Sequence, residues 1–471
     1  MIEQSSSLAG RPAGGSGHLD VLSPWDGARV GRVALVGAAE AEAAVRAHLA
    51  GGEPLTRHAR SQVLRKAAAL LADRREAFAR MMTAESGLCL RETRYEVGRA
   101  LDVLEFSAME ALRDDGQVFS CDITPQGKAR KVYTTREPLD LVLAITPFNH
   151  PLNQVAHKLA PAIAAGAPVI LKPSEKTPLT AGALAALLHE AGLPGWMLSC
   201  LHGSLEVVTK PLIRDPRVSL VTFTGSAAVG KEIAATAGYK KLCLELGGHS
   251  PLIVLADADL DLAAKLAAEG CFRNSGQRCT AIRRLLVDRK VLAPFTDRLL
   301  AAAREYPAGD PADEATRVGT VIDARSAERL ETAVREAESR GAKVLHGGAR
   351  RGALMEPTVL GGVPRDAYLA RNECFGPLAP ILAVDGLDDA VALANATDYG
   401  LSSGVVTTSL ESAVKAIKGI RAGTVNINEV PGYRLESTPF GGIKDSGLGI
   451  KEGVVEAMRF MTTVKTYSLP W

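Results

Sequence analysis

One stretch of the chain decides the fold. Residues 141–172 read LVLAITPFNHPLNQVAHKLAPAIAAGAPVILK. The apolar run at 141–146 predicts a strand, the Ala- and Leu-rich segment up to Ala164 predicts a helix, and the run at 167–172 predicts a second strand. A strand, a helix and a strand in this order are typical of a parallel sheet with helices on its faces.

The same alternation continues toward the C-terminus. Further strands are predicted at 218–223, 240–246, 251–255 and 285–288, with helices ending near Ala191 and Thr236 and a helix at 259–275. A chain of 471 residues exceeds what one hydrophobic core supports. We therefore predict two α/β domains, the second running to about Val430.

The remaining segments have a different character. Amphipathic helices are predicted at 37–50, 60–86 and 91–112. Segments 120–139 and 459–469 are predicted to be extended and to pair with each other, as in a ribbon that joins subunits. The Ser- and Gly-rich start, residues 1–20, is expected to fray.

Bulk composition excludes several classes of protein. Basic and acidic residues number 55 and 53, which gives no electrostatic case for binding nucleic acid or an anionic membrane. No apolar run reaches the roughly 20 residues of a membrane span, and the start resembles no secretory signal. The 7 cysteines include no CxxC pair or Cys/His cluster, so we expect no metal site and a cytoplasmic protein.

Two loops are candidates for nucleotide binding. Strand 218–223 leads through Gly225 and Ser226 into a helix, where free N–H groups and the helix dipole attract phosphate. The loop is not a Walker A motif, because Glu232 stands where a hydroxyl would hold magnesium, and it also fits an ordinary strand-to-helix turn. Lys172 and Glu175 end a neighbouring strand, where Lys suits hydroxyl or phosphate groups and Glu a ribose diol, although solvated loop charges remain the alternative.

Three residues are candidates for chemistry. Cys279 lies in a polar segment beside Arg278, which favours an accessible thiolate nucleophile, although a buried inert thiol is the ordinary alternative. Glu245 ends an apolar strand and suits either a general base or a satisfied structural carboxylate. Asn149 comes shortly after the predicted strand 141–146 and is either a turn residue or a hydrogen-bond donor to an oxyanion.

Taken together, these motifs resemble the aldehyde dehydrogenase superfamily in the same order along nearly the whole chain. The matching segments are TPFNHP (146–151), LKPSEKTP (171–178), FTGS (223–226), LELGG (244–248), GQRCT (276–280), NECFGP (372–377) and PFGG (439–442). The resemblance implies a Rossmann-type NAD-binding domain (1–119 and 140–246), a catalytic domain (247–440) and a β-ribbon oligomerisation arm (120–139 and 455–471). It also implies a homodimer or homotetramer.

The resemblance assigns roles to individual residues. Cys279 would be the nucleophile, Glu245 the general base that hydrolyses the thioester, and Asn149 the oxyanion donor. The residues expected to bind the cofactor are Ile145, Thr146, Pro147, Phe148, Lys172, Ser174, Glu175, Gly225, Ser226, Leu246, Glu373 and Phe375. The cofactor would be NAD, because Glu175 would repel a 2'-phosphate, although members of the family that use NADP leave NADP possible.

Two departures from the family pattern bear on the substrate. His150 stands where an aromatic residue is usual, and Arg278 precedes the nucleophile. Both favour a short anionic aldehyde, since Arg pairs with carboxylate, phosphate or phosphonate, with a structural role for Arg278 as the alternative. Segments 92–99, 148–158 and 111–131 resemble phosphonoacetaldehyde dehydrogenases, which adds Arg99 to the anion site and makes phosphonoacetaldehyde the expected substrate. Lactaldehyde, glyceraldehyde 3-phosphate and semialdehydes are the alternatives, and a noncatalytic binding protein on the same fold is the alternative from another class.

Overall fold

The computed structural model describes residues 2–450 and 452–470. Met1 and Trp471, at the ends of the predicted domain and arm segments, lie outside the described residues, as does Lys451. The predicted α/β fold is confirmed: two seven-stranded sheets are each covered by helices on both faces.

The first sheet is built around the stretch at 141–172. Its strands, in spatial order, are Lys241–Glu245, Leu220–Thr224, Val142–Ile145, Val169–Lys172, Leu198–Cys200, Ser6–Leu8 and Arg11–Ala13. The first five strands run parallel to one another. Ser6–Leu8 is antiparallel to Leu198–Cys200, and Arg11–Ala13 is antiparallel to Ser6–Leu8. The central strands are buried along their whole length, as expected when helices cover both faces.

The second sheet has the same architecture. Its strands, in spatial order, are Lys343–His346, Thr358–Gly361, Leu378–Val384, Ile282–Asp288, Ser250–Val254, Ser402–Val406 and Thr424–Ile427. Separate apolar clusters fill its two faces. The strand predicted at 285–288 in fact begins at Ile282. The prediction began too late because Arg283 and Arg284, which are charged but buried, interrupt the apolar pattern.

Helices cover the sheets and connect their strands. They are Ala38–Ala50, Arg57–Asp73, Arg75–Ser86, Leu90–Glu110, Asn153–Ala165, Pro178–Glu190, Lys210–Arg214, Ala227–Thr236, Leu260–Phe272, Leu292–Ala303, Ala324–Ser339, Tyr368–Arg371, Gly386–Asn395, Leu410–Gly419 and Val454–Phe460. Among the described residues, no helix combines the length and the apolar character needed to cross a bilayer.

The extended tail pairs with the predicted ribbon. Strand Thr462–Pro470 is antiparallel to Arg130–Pro138 in continuous register, and Val118–Ser120 adds a third strand. Tyr133 and Tyr467 stack across the pair with ring centroids 5.4 Å apart. The predicted pairing is therefore confirmed, whereas the role of this ribbon in oligomerisation stays a prediction.

The expectation that the N-terminus frays is wrong. Ser6–Leu8 and Arg11–Ala13 complete the edge of the first sheet, and Ile2–Gln4 and His18–Leu22 flank Arg29–Ala34 in a small sheet. Edge strands are exposed and tolerate polar residues, so their composition resembles that of a loop. Their pairing partners at residues 29–34 and 198–200 are distant in sequence, which the local pattern does not reveal.

Candidate active site

The segment that carries Cys279 is held in an unusual backbone conformation. The helix Leu260–Phe272 ends earlier than predicted, and Asn274, Ser275 and Gly276 then adopt left-handed φ angles of 57°, 52° and 66°. Such conformations are costly for non-glycine residues and persist only where neighbours impose them. The loop is therefore held in place by its surroundings.

Buried Arg283 imposes much of this conformation. Its guanidinium donates to the backbone carbonyl oxygens of Gly276 at 2.6 Å, Arg278 at 3.1 Å and Gly376 at 2.9 Å. These bonds tie the loop before Cys279 to the segment that carries Phe375. The sequence analysis did not select Arg283, because an Arg inside a strand shows its role only once its partners are known.

Asn149 lies against the same loop. Its Nδ2 donates to the carbonyl oxygen of Gln277 at 2.8 Å, and Asn274 Nδ2 donates to the carbonyl oxygen of Asn149 at 3.0 Å. Asn149 and Cys279 line one common cavity. One N–H of the Asn149 amide is thus used for positioning, and the other remains to donate to an oxygen atom of a ligand.

Glu245 ends its strand at the edge of the first sheet where Asn149 also lies. The side chain is 3% exposed, and its backbone carbonyl oxygen accepts a hydrogen bond from Gly225 at 3.0 Å. Two glycines follow it. A Cβ atom at Gly248 would lie 2.3 Å from the carbonyl oxygen of Cys279, so glycine is needed for this close approach.

The environment of Cys279 controls its protonation. Burial raises the pKa of the Cys279 thiol to about 12; the carboxylate of Glu245 acts in the same direction, and Arg434 opposes both. A thiol with this raised pKa is mainly protonated at neutral pH. A thiolate at this position would therefore need a bound positive charge or a base in order to form.

One cavity of about 700 Å³ has the shape and lining expected for a dinucleotide. Of the predicted cofactor residues, its wall contains Pro147, Phe148, Gly225, Ser226, Leu246, Glu373 and Phe375. The aromatic rings of Phe148 and Phe375 meet edge to face, with centroids 6.1 Å apart. Ser226 caps the helix Ala227–Thr236, whose N-terminal N–H groups suit a phosphate group.

A second feature of this cavity supports a bound cofactor. Glu373 Oε1 accepts a hydrogen bond from the backbone of Gly248 at 3.0 Å. A Cβ atom at Gly247 would lie 2.4 Å from Glu373 Oε2, so the glycine makes room for this carboxylate. A carboxylate fixed in this way can accept hydrogen bonds from a ribose diol.

The other predicted cofactor residues lie at the same sheet edge but outside this cavity wall. Ile145 and Thr146 lie in the chain directly before Pro147, which is part of the cavity wall. Lys172 Nζ donates a hydrogen bond to the carbonyl oxygen of Pro173 at 3.0 Å. The side chain of Glu175 is 53% exposed and lies 3.8 Å from Lys172 Nζ. Ser174 accepts a hydrogen bond from the backbone of Lys176. Their role in binding the cofactor stays a prediction.

A second cavity, of about 820 Å³, meets the first at Cys279 and Gln154. Its wall contains the three predicted substrate residues, Arg99, His150 and Arg278. The sulfur thus lies where two spaces join, one whose lining suits a dinucleotide and one lined by both basic and acidic side chains. This junction is the arrangement that hydride transfer from a substrate held on the sulfur requires.

Each of the three substrate residues is already engaged within the protein. Arg278 Nη2 donates to the carbonyl oxygens of Glu269 at 3.0 Å and Gly270 at 3.1 Å, so it caps the end of a helix. His150 Nδ1 lies 3.1 Å from Glu96. Arg99 Nε donates to Glu436 at 2.5 Å.

Arg434 is a site residue that the sequence analysis missed. It lines the second cavity, stacks over Phe440 at 3.9 Å, and opposes the rise in the pKa of Cys279. Its Nη1 is buried without a hydrogen-bond partner, and no carboxylate of the described residues forms an ion pair with it, although its charge helps to lower the pKa values of Glu436 and Glu452. In the sequence, the only indication of a functional role was that Arg434 lies six residues before Phe440, in a loop for which no helix or strand was predicted.

Comparison with known proteins places the chain in a family. The profile of the aldehyde dehydrogenase family matches residues 12–467. A 3-sulfolactaldehyde dehydrogenase of Priestia aryabhattai is 42% identical over 403 residues, which cover 86% of this chain and 84% of that protein. Aspartate-semialdehyde dehydrogenase 1 of Pseudomonas canavaninivorans is 39% identical over 455 residues, 96% of each chain. A lactaldehyde dehydrogenase of Methanococcus maripaludis is 36% identical over 411 residues, 86% of this chain and 87% of the relative.

Solved structures show the same fold. An NAD-dependent aldehyde dehydrogenase from Sinorhizobium meliloti superimposes with a TM-score of 0.95 at 35% identity, over 100% of this chain and 95% of that chain. An NADP-dependent glyceraldehyde-3-phosphate dehydrogenase from Bacillus halodurans, complexed with NADP, gives 0.97 at 31% identity over 100% of both chains. The chain belongs to the aldehyde dehydrogenase family and is an NAD(P)-dependent aldehyde dehydrogenase.

Proposed function

We propose that the chain oxidises a short aldehyde that carries an anionic group to the corresponding carboxylic acid. The observation that carries this proposal is Arg434, a guanidinium without a carboxylate partner on the wall of the cavity that ends at Cys279. A partly buried guanidinium that no carboxylate contacts leaves N–H groups unsatisfied, which is costly, and an anionic substrate would supply the missing contact. The sulfonate and carboxylate aldehydes named for two of the relatives carry such a group.

The expected chemistry starts at the sulfur. Cys279 attacks the aldehyde carbon, and the oxyanion that forms is stabilised by Asn149 Nδ2 together with the backbone N–H of Cys279, each donor being worth about 3 kcal/mol of the barrier. Residues of the first cavity, among them Glu373 and Phe375, would hold NAD or NADP, which would supply the acceptor for the hydride that leaves as the covalent intermediate on Cys279 becomes a thioester. Glu245 then removes a proton from water, which adds to the thioester carbon and releases the acid and the free thiol.

We propose NAD as the preferred cofactor. Glu175 follows the strand Val169–Lys172 with its carboxylate exposed, so a 2'-phosphate placed there would meet a negative charge. Lys172, whose pKa is lowered by burial, lies close enough to compensate only in part. Measured kcat/KM values for the two cofactors test this preference, and replacement of Glu175 by Gln is expected to reduce it. Equal use of both cofactors by the wild type contradicts it.

The substrate class is tested directly with purified protein, NAD and a panel of aldehydes. The panel contains sulfolactaldehyde, aspartate and succinic semialdehydes, phosphonoacetaldehyde, glyceraldehyde 3-phosphate, and the uncharged lactaldehyde and propionaldehyde. Formation of reduced nicotinamide is followed by absorbance. We expect the highest kcat/KM among the charged members. A preference for uncharged aldehydes would refute the anionic substrate, and no reduction with any member would favour a noncatalytic protein.

A further inference from the structure

The second cavity contains balanced charges. Six basic side chains of the described residues line it: Arg75, Arg99, Lys265, Arg273, Arg278 and Arg434. An equal number of Asp and Glu side chains also lie on its wall, so the formal charges cancel. Because the charges cancel, an anion in this cavity would be bound by contact with an individual basic side chain and not by a positive electrostatic potential of the whole cavity.

Internal ion pairs account for part of this balance. Arg273 lies 2.9 Å from Glu92 and 2.8 Å from Glu269. Arg99 lies 2.5 Å from Glu436. These three ion pairs engage two guanidinium groups, those of Arg273 and Arg99, before any substrate enters. Arg434, by contrast, has no such partner among the described residues.

Glu436 is fixed in place by its neighbours. It is 5% exposed, and its two carboxylate oxygens accept hydrogen bonds from Arg99 Nε and His157 Nε2, each at 2.5 Å. Burial by itself would raise the pKa of Glu436, but His157, Arg99 and Arg434 outweigh it and hold the pKa well below its usual range. Burial lowers the pKa of His157, so a neutral imidazole holds the carboxylate by donating Nε2–H. The pair Arg99 and Glu436 then contributes no net charge.

We propose that Glu436 is a specificity-determining residue that makes the cavity prefer a singly charged anion over a doubly charged one. By neutralising Arg99, it removes a positive charge that a phosphate or phosphonate dianion would need, while Arg434 remains for one carboxylate or sulfonate charge. Unpaired charge in a partly desolvated site is unfavourable, so the same arrangement disfavours the dianion. This inference rests on the proposed function, because it assumes that the cavity binds an anionic aldehyde.

Three aldehydes that share a CH2–CHO group and differ in charge test this effect. Propionaldehyde is neutral, sulfoacetaldehyde carries one negative charge, and phosphonoacetaldehyde carries two above its second pKa. The sulfonate and phosphonate groups are both tetrahedral, so they differ mainly in charge. With NAD saturating, we expect the wild type to show a higher kcat/KM for sulfoacetaldehyde than for phosphonoacetaldehyde.

Glu436→Gln gives the decisive comparison. The variant adds one positive charge to the cavity, so kcat/KM should rise about fivefold for the sulfonate and about 25-fold for the phosphonate, relative to propionaldehyde. The logarithm of the change in kcat/KM should therefore be proportional to the number of negative charges on the substrate, which is 0 for propionaldehyde, 1 for the sulfonate and 2 for the phosphonate. A loss of folded enzyme lowers all three values by one factor, which cancels in the ratios.

Two further variants separate charge from structure. Glu436→Asp keeps the carboxylate and should retain the wild-type ratio of the two charged substrates. Combining Arg99→Gln with Glu436→Gln restores the original net charge, so the ratio should return toward the wild-type value. A ratio that stays shifted in this double variant would overturn the proposal.

The remaining outcomes distinguish the inference from the proposed function. If the wild type prefers charged aldehydes but Glu436→Gln changes all three substrates equally, the role of Glu436 is refuted and the proposed function stands. A wild type that favours phosphonoacetaldehyde over sulfoacetaldehyde also refutes the inference alone. If the wild type favours propionaldehyde over both, the proposed function itself fails.

Discussion

The two cavities that meet at Cys279 are built in different ways. The first cavity is lined by short motifs at strand ends, such as Gly225 with Ser226 and Leu246 with Gly247, together with the helix Ala324–Ser339. The second depends on side chains that find each other across the chain: Arg99 and Glu436 are 337 residues apart in sequence. The difference teaches that local backbone geometry shapes much of the first cavity, whereas long-range ion pairs arrange the charges of the second.

The largest expected effect comes from Cys279, one of the two residues that both cavities share. Cys279→Ala should lower kcat by at least about 10⁴-fold for every aldehyde, because the covalent step is lost, while binding of NAD is retained. Steady-state rates and NAD titration by fluorescence measure the two properties. Cys374→Ala is the matched control, since this thiol lines the first cavity but lies outside the second. Comparable loss in both variants would show that Cys279 is not the nucleophile.

Arg434→Leu sharpens the description of the second cavity. Loss of the unpaired guanidinium should raise KM for a charged aldehyde about 100-fold and leave KM for propionaldehyde nearly unchanged. Arg278→Leu is the informative control, because Arg278 caps the helix before the nucleophile loop and its loss should lower kcat/KM for charged and uncharged aldehydes alike. The reverse pattern would make Arg278, and not Arg434, the residue that binds the anion.

The first cavity is tested by adding one methyl group. In Gly247→Ala the new Cβ atom would lie 2.4 Å from Glu373 Oε2, so the carboxylate has to move. We expect KM for NAD to rise about tenfold, the scale of one lost charged hydrogen bond, with KM for the aldehyde unchanged. Initial-rate kinetics with each substrate varied in turn give both values. A change confined to the aldehyde would contradict the assignment of the two cavities.

The smallest expected effect concerns the proton on the shared sulfur. With the pKa of Cys279 raised to about 12 by burial and by Glu245, alkylation of the cofactor-free enzyme by iodoacetamide should accelerate about tenfold per pH unit up to pH 10. Glu245→Gln removes a negative charge, which stabilises the thiolate and lowers this pKa. The rate at pH 8 should then rise a few-fold, as measured by mass spectrometry of the Cys279 peptide. A plateau near pH 8 in the wild type would contradict the raised pKa.

The sequence alone predicted the fold, which is confirmed, and the candidate reacting groups, which stay a prediction, because both rest on local patterns. A buried parallel strand shows as an apolar run, and a candidate catalytic residue lies at the end of that run, as Glu245 does, or shortly after it, as Asn149 does. The identity of Cys279 was reached through the order of several such motifs and not through its own surroundings. The N-terminal strands were missed because polar edge strands resemble loops, and their partners lie far along the chain.

What the sequence by itself determined is which residue types stand near two strand ends and in the loop after a helix: an amide, a carboxylate and a thiol, in that order along the chain. Only the tertiary structure decided which cations are free to bind a substrate, because a guanidinium is available only if no neighbour already holds it. Arg278 is engaged by helix carbonyls and Arg99 by Glu436, whereas Arg434 has no carboxylate partner among the described residues. Charge pairing depends on distance in space, which distance along the chain does not encode.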